Sequence, residues 1–169
     1  MKKALLKHVL SLMKQKRIPL TKINIQKIVH FLKETGTPLT YKFEPYNYGP
    51  YSSELKVELG GLLLWEELSV NGNEYIINDT FKLDEDIDQG TVDSISDRLD
   101  AFKKAVNGDF SFDSMEITGT VIYCNQALKN VGILPNEQEV LKEFKNWKGQ
   151  RYADERITRA YSQISPLLN

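Results

Sequence analysis

The stretch that most constrains this fold is residues 41–55, YKFEPYNYGPYSSEL, in which five aromatic side chains surround two prolines and a glycine. The prolines fix their own φ and push Glu44 and Gly49 towards extended backbone. Gly49 can also adopt a φ that tyrosine disfavours. We therefore expect a short extended segment that turns sharply, followed by a helix that Ser52 caps. This element by itself carries no chemistry.

The composition is typical of a globular protein with one core. The chain has 169 residues, of which 41% are hydrophobic and 27% charged. Met1 leads into a lysine-rich amphipathic run, so we expect no signal peptide. No apolar run approaches the roughly 20 residues of a membrane span. A single cysteine, Cys124, excludes an intramolecular disulfide and a cysteine metal cluster, and favours a reducing, cytoplasmic setting.

Apolar residues recur at helical spacing in seven segments. We predict helices over residues 4–17, 22–34, 52–65, 91–106, 114–130, 137–147 and 155–165. Thr21, Ser52 and Asp154 are placed to cap three of them. Residues 114–130 are the most apolar, which indicates a central core helix. Gly60 and Gly61 weaken the third helix, and they indicate either close contact with a neighbouring helix or an early helix end.

Two strand signals accompany the helices. Residues 41–43 alternate as a short strand would, and residues 68–78 form the clearest hairpin signal, with Asn71 and Gly72 as the tight turn. The order of elements resembles a winged helix-turn-helix. We predict one mainly α domain over residues 1–169 with a small β component. A winged-helix-like half (1–78) would pack, through an acidic linker (79–90), on a helical half (91–169).

The charge is unevenly distributed. Residues 1–43 carry ten Lys or Arg and one Glu, whereas residues 44–113 carry sixteen acidic and five basic residues. A winged helix that reads DNA concentrates positive charge on its third helix and wing. Here that helix would instead expose mostly acids, which repel a phosphate backbone. The exposed set is Glu54, Lys56, Glu58, Glu66 and Glu67. The sequence therefore favours a protein-binding use of the fold.

Residues 25–32, IQKIVHFL, followed by residues 41–55 and a hairpin, resemble the YwgA-like proteins of bacteria and archaea. Those proteins are related to the Panacea (SocA-type antitoxin) group. The similarity is specific over residues 22–65, with Ile25 where leucine is common, and diffuse after residue 80. The resemblance implies a small, mostly helical protein with a winged-helix-like part and no established enzyme activity. Relatives occur as antitoxins or antitoxin domains that neutralise a toxin by direct binding, so the resemblance implies a binding protein of antitoxin or regulatory type.

No catalytic, metal or cofactor site is predicted. The two histidines, His8 and His30, lack metal-ligand spacing, and Cys124 lies in an apolar helix where a buried, inert thiol is expected. The acidic run near residue 86 lacks the glycine and the distant glutamate of a calcium loop. An enzyme whose cleft gathers His30, Cys124 and carboxylates is a third, weaker alternative to the two binding functions described next.

The sequence alone leaves two alternative binding surfaces. The first would bind a partner protein, such as a toxin, through Tyr46, Tyr48, Tyr51, Glu54, Glu58, Asp84, Glu85, Asp86 and Asp88. The alternative would bind nucleic acid through Lys14, Lys16, Arg17, Lys22 and Lys27. The acidic residues form either a solvated linker or a nucleic-acid mimic, and the tyrosines either lock the turn or contact the partner.

Overall fold

The computed structural model describes residues 2–83 and 86–168, and there the chain is mainly helical with a small antiparallel β component, as predicted. The helices are α1 (Lys2–Gln15), α2 (Lys22–Glu34), α3 (Ser53–Leu64), α4 (Gln89–Ala105), α5 (Phe112–Asn130), α6 (Glu137–Lys148) and α7 (Asp154–Ile164). The strands are β1 (Glu44–Tyr46), β2 (Gly49–Tyr51), β3 (Leu68–Asn71) and β4 (Glu74–Ile77). They form two separate hairpins, β1 with β2 and β3 with β4.

Two of the three predicted helix caps are confirmed. Thr21 Oγ1 accepts from the amide at the third position of α2 (3.1 Å), and Ser52 Oγ accepts from Leu55 N (3.2 Å). The third prediction is wrong, because Asp154 is the first residue of α7 and not its cap. Its carboxylate instead lies 3.2 Å from the ammonium of Lys145, and it still favours the helix because it lies at the positive end of the helix dipole.

The N-terminal half consists of two helices, a first hairpin, a third helix and a second hairpin. Between α1 and α2 the backbone runs beside β4: Tyr75 N donates to Leu20 O, and Lys22 N donates to Asn73 O, each at 2.9 Å. The β3–β4 hairpin (residues 68–77), which we call the wing, is thereby fixed to the start of α2. The first hairpin, residues 44–51, is inserted between α2 and α3, and we call it the tyrosine hairpin.

The wing confirms the predicted hairpin but turns one residue later than expected. Asn71 pairs with Glu74 as the last pair of the ladder, so the two-residue turn is Gly72 and Asn73. Gly72 has φ +65° at the first central position. A glycine at this position is what a type II′ turn requires, and that turn matches the twist of the two strands.

The strand predicted at residues 41–43 is wrong. Pairing begins at Glu44, which faces Tyr51 in the β1–β2 register. Tyr41 is fully buried in the core, and its carbonyl accepts a hydrogen bond from Lys33 Nζ at 2.7 Å. The aromatic alternation in this segment therefore reflects the packing of Tyr41 and not a ladder.

The predicted linker, residues 79–90, is more structured than its acidity indicates. Phe81 and Ile87 pack against the core, and Asp88 caps α4 by accepting from Thr91 N at 2.9 Å. Helix α4 consequently begins at Gln89, two residues before the predicted start. Asp84 and Glu85 lie outside the described residues.

Helix α5 is the central element, as its apolar sequence predicts. It packs against α2, β2, α6 and α7. One continuous cluster of buried apolar side chains includes residues from α1, α2 and α3 as well as from α4, α5, α6 and α7. The two halves therefore share a core, and the tyrosine hairpin lies between them.

Candidate functional site

The end of the tyrosine hairpin is attached to α2 by the side chain of Gln26. Its Nε2 donates to Ser52 O (3.0 Å), and its Oε1 accepts from Ser52 N (2.8 Å). The side-chain amide of Gln26 thus makes the two hydrogen bonds that a neighbouring strand would make with the backbone N–H and C=O of Ser52. Both residues are buried, so the bonds are shielded from competition by water.

Lys27 makes the second attachment to α2. It is only 3% exposed, and its Nζ donates to Pro50 O at 2.7 Å. Its alkyl chain lies against Gly119 of α5, where an added Cβ would be 2.7 Å from Lys27 Cδ. Burial, assisted by the positive charge of Lys148 and opposed by the carboxylate of Glu116, lowers the pKa of Lys27 from 10.5 to about 7.

The C-terminal half holds the same hairpin from the other side. Lys148 Nζ at the end of α6 donates to Asn47 O at 2.6 Å. The guanidinium of Arg151 lies 5.8 Å from the centre of the Tyr48 ring, and its Nε is 3.0 Å from Oε2 of the buried Glu116. The hairpin therefore contacts both halves, and its loop is fixed by cations from the C-terminal half.

Helix α3 is apolar on two faces, and only one of them is covered. On the uncovered face Val57, Leu64 and the following Trp65 are 74%, 78% and 72% exposed. We call these three residues the α3 ridge. The covered face enters the core through Leu55, Leu59 and Leu62, as predicted. The α3 ridge is therefore an exposed apolar patch on a helix whose other exposed side chains include Glu54 and Lys56.

Gly60 and Gly61 have neither of the roles predicted for them. The helix continues to Leu64, and no described atom lies within 4 Å of a Cβ placed on either glycine. Each glycine costs the helix about 1 kcal/mol relative to alanine, without a packing contact that would require it. The pair leaves bare backbone beside the ridge, where another molecule can approach closely.

A cavity of 560 Å³ separates the tyrosine hairpin from the wing. The walls come from α2, α3 and the wing, and most of their surface is apolar, through residues such as Ile23, Leu59, Leu63 and Val70. Tyrosine rings from both hairpins and the phenyl ring of Phe112 also contribute to the lining. The sequence did not predict this cavity, because its walls are brought together from five separate segments.

The predicted partner-binding residues of the tyrosine hairpin and α3 differ in their exposure and in their contacts. Tyr46 and Tyr48 are exposed, whereas Tyr51 is half-buried with its ring 5.2 Å from that of Tyr46. Glu54 is exposed and pairs with Lys2 at 3.0 Å, and Glu58 is half-buried.

Asp86 and Asp88, two further acidic residues of the predicted surface, directly precede α4. Asp86 is exposed, and Asp88 is occupied as the cap of α4. Glu67, which was expected to be exposed on the third helix, is not: it pairs with the buried Lys7.

The predicted basic cluster is only partly on the surface. Lys14, Arg17 and Lys22 are exposed, and Lys16 pairs with Asp100 at 2.7 Å. The assignment of Lys27 to this cluster is wrong, because its side chain is buried. Lys27 and Gln26 are instead the residues that position the tyrosine hairpin. Their adjacency within residues 25–32 was visible in the sequence, but their partners were not.

Burial shifts the pKa values of His30 and Cys124 in opposite directions. Burial lowers the pKa of His30 to about 3, with help from the charges of Lys27 and Lys33, so the imidazole is neutral and its contact with Glu34 at 3.7 Å is not an ion pair. Burial raises the pKa of Cys124 to about 12. Neither His30 nor Cys124 lines the 560 Å³ cavity.

Within residues 2–83 and 86–168, no group of three or more His, Cys, Asp or Glu side chains is arranged to hold a metal ion. The described helices include none that is both long and apolar enough to cross a bilayer. No model of a known protein family matches the chain, and a search of the curated proteins found no significant match.

Proposed function

We propose that this protein is a non-enzymatic binding protein of antitoxin or regulatory type that acts by direct contact with a partner protein. The contact surface consists of the α3 ridge and the tyrosine hairpin. The proposal agrees with what the resemblance to the YwgA-like and Panacea groups implies. A single, buried cysteine fits a cytoplasmic setting.

The exposed ridge is the observation that carries the proposal. Val57, Leu64 and Trp65 together present a valine, a leucine and an indole to solvent on one helix. Burying such side chains in an interface contributes roughly 1.5–3 kcal/mol each, and tryptophan is among the residues most often found at interface hot spots. The adjacent glycine pair allows a partner backbone to lie close to the helix.

The charges around the ridge define the partner's chemistry. Glu54, Glu58 and Glu66 flank the ridge along α3 and its end. A complementary partner would therefore offer an apolar groove with basic residues at its edge. Proteins that act on nucleic acid bind the phosphate backbone with basic residues, and occlusion of such a basic surface would neutralise the partner.

The attachments of the tyrosine hairpin support the same use. Gln26, Lys27 and Lys148 hold its backbone before any partner arrives. Tyr46 and Tyr48 are therefore presented on a fixed scaffold, which reduces the entropy lost on association. Tyrosine gives a large contact area at low conformational cost.

Direct nucleic-acid binding is the weaker alternative. Of the five basic residues proposed for it, Lys27 is buried and Lys16 is paired with Asp100. Lys14, Arg17 and Lys22 remain exposed, but the exposed charges of α3 are mostly acidic. A mobility-shift assay with duplex DNA at two salt concentrations tests this alternative, because phosphate contacts weaken steeply with salt.

The test of the proposal compares Leu64→Glu with Leu134→Glu. Both leucines are highly exposed, but Leu134 lies in the loop before α6, away from the ridge. Each variant is co-expressed with the product of the neighbouring reading frame, and complex formation is measured by co-purification and by calorimetry. We expect Leu64→Glu to weaken the complex at least tenfold, and Leu134→Glu to leave it unchanged.

Thermal unfolding of both variants serves as the control, because neither substitution removes a buried contact. Equal binding by the two variants would refute the role of the ridge. Salt-sensitive binding of the wild type to duplex DNA, with no protein complex, would favour the alternative.

A further inference from the structure

The 560 Å³ cavity has the size and composition of a small-molecule site. Ligand pockets usually have a volume of about 300–1,000 Å³ and apolar walls with a few convergent polar groups. Here the apolar wall consists of Ile23, Leu59, Leu63 and Val70. Such a volume bordered by apolar surface is unfavourable when filled only with water.

The polar groups of the cavity have one sign of charge. Lys22, Lys27 and Lys56 line it, and none of the described lining residues is acidic. This contrasts with the surrounding surface of α3, on which Glu54 and Glu58 lie. A cationic cavity within an acidic helix surface selects an anionic ligand.

The lysines lie at different depths, which orients the ligand. Lys22 and Lys56 are exposed, whereas Lys27 is buried and already donates to Pro50 O. The anionic group is therefore best placed at the mouth, between Lys22 and Lys56, and the apolar body extends inwards. Aromatic rings at Tyr48 and Phe112, 5.0 Å apart in an edge contact, add a surface for a flat ring.

From this geometry we propose that the cavity binds a small amphipathic organic acid, with an aromatic or branched apolar body and one carboxylate. The site does not depend on the protein-binding proposal. It shares Tyr48, Tyr51 and Gly60 with the edge of the partner surface, so the ligand would also contact the tyrosine hairpin.

The test uses 1-naphthaleneacetate and its neutral isostere 1-naphthaleneacetamide, titrated into the full-length protein and followed by amide NMR shifts. We expect saturable shifts at the cavity residues, and about fivefold tighter binding of the acid than of the amide, since two exposed ion pairs contribute modestly. Lys56→Gln should reduce the preference for the acid to about twofold without abolishing amide binding, because Lys22 remains.

A matched pair of variants locates the site. Gly60 lines the cavity and Gly61 does not, yet both have open space where a Cβ would be added. Gly60→Phe should abolish binding of the acid, and Gly61→Phe should preserve it. Equal affinity for acid and amide would overturn the proposal. Equal effects of the two phenylalanine variants would also overturn it, as would an absence of saturable shifts at low millimolar concentrations of the acid. Binding only of peptides that end in the same acid, and not of the free acid, would lead to the same conclusion.

Discussion

Replacement of Lys27 by methionine should change the pH dependence of stability in a predictable direction. Methionine has a similar length and no charge, so Lys27→Met removes the amine and its hydrogen bond to Pro50 O while keeping most of the packing. At any one pH, the difference in unfolding free energy between the two proteins combines a lost hydrogen bond with a relieved desolvation cost. The change of that difference with pH isolates the titration of the amine.

The sign follows from the lowered pKa of Lys27. Because the folded-state pKa is about 7 and the ordinary value is 10.5, the unfolded chain binds more protons than the folded one between these values. Wild-type stability therefore rises with pH in this window, relative to the variant. The full shift corresponds to about 5 kcal/mol, of which about 2 kcal/mol is gained between pH 7 and pH 9.

Urea unfolding of both proteins at pH 7, 8 and 9, at constant ionic strength, measures this difference. Lys14 is exposed, so Lys14→Met is the matched control for the loss of a lysine. The range begins at pH 7 because the charge of Lys27 also affects His30 at lower pH. The free energy of unfolding of the wild type minus that of Lys27→Met should therefore change across this range. If this difference stays constant to within about 0.5 kcal/mol, the buried environment assigned to the amine is refuted.

Three further outcomes are expected. Gln26→Leu should lower the free energy of unfolding by about 1–3 kcal/mol in urea, because it leaves the buried N–H of Ser52 without a partner, while Ser52 O keeps its bond from Lys56 N; a loss below about 0.5 kcal/mol would contradict this. Gly119→Ala should destabilise by about 1–3 kcal/mol because its methyl group would overlap Lys27, whereas the open Gly60→Ala should stabilise by about 1 kcal/mol; the same sign for both would be inconsistent with the packing. Cys124 should react with a thiol reagent at pH 8 at least about a hundredfold more slowly in the folded than in the urea-unfolded protein, and comparable rates would show that the thiol is accessible.

Local chemistry made much of the fold predictable from the sequence. The caps at Thr21 and Ser52 and the apolar pattern of residues 114–130 correctly located α2, α3 and the central α5. These signals depend on neighbours a few residues away, so tertiary contacts do not override them. The cap at Asp154 failed because that carboxylate pairs with Lys145 of another helix.

The candidate site was less predictable, because its defining features depend on distant contacts. Lys27 looked like a surface cation until α5 and the tyrosine hairpin covered it. Leu64 and Trp65 end an apolar run, and the fold leaves them in solvent while Leu55, Leu59 and Leu62 enter the core. Helical spacing indicates the buried stripe, but it does not tell whether a second apolar face of the same helix will be covered.

The tyrosine hairpin belongs to neither half alone. Its backbone is held by Gln26 and Lys27 from the first half and by Lys148 from the second. A fragment that ends before α4 would lose the cation that anchors Asn47, and it would expose the apolar side of α2 that α5 covers. The N-terminal half is therefore unsuited to use as an autonomous module, and a fusion or truncation that retains the exposed tyrosines must carry α5 and α6 with it.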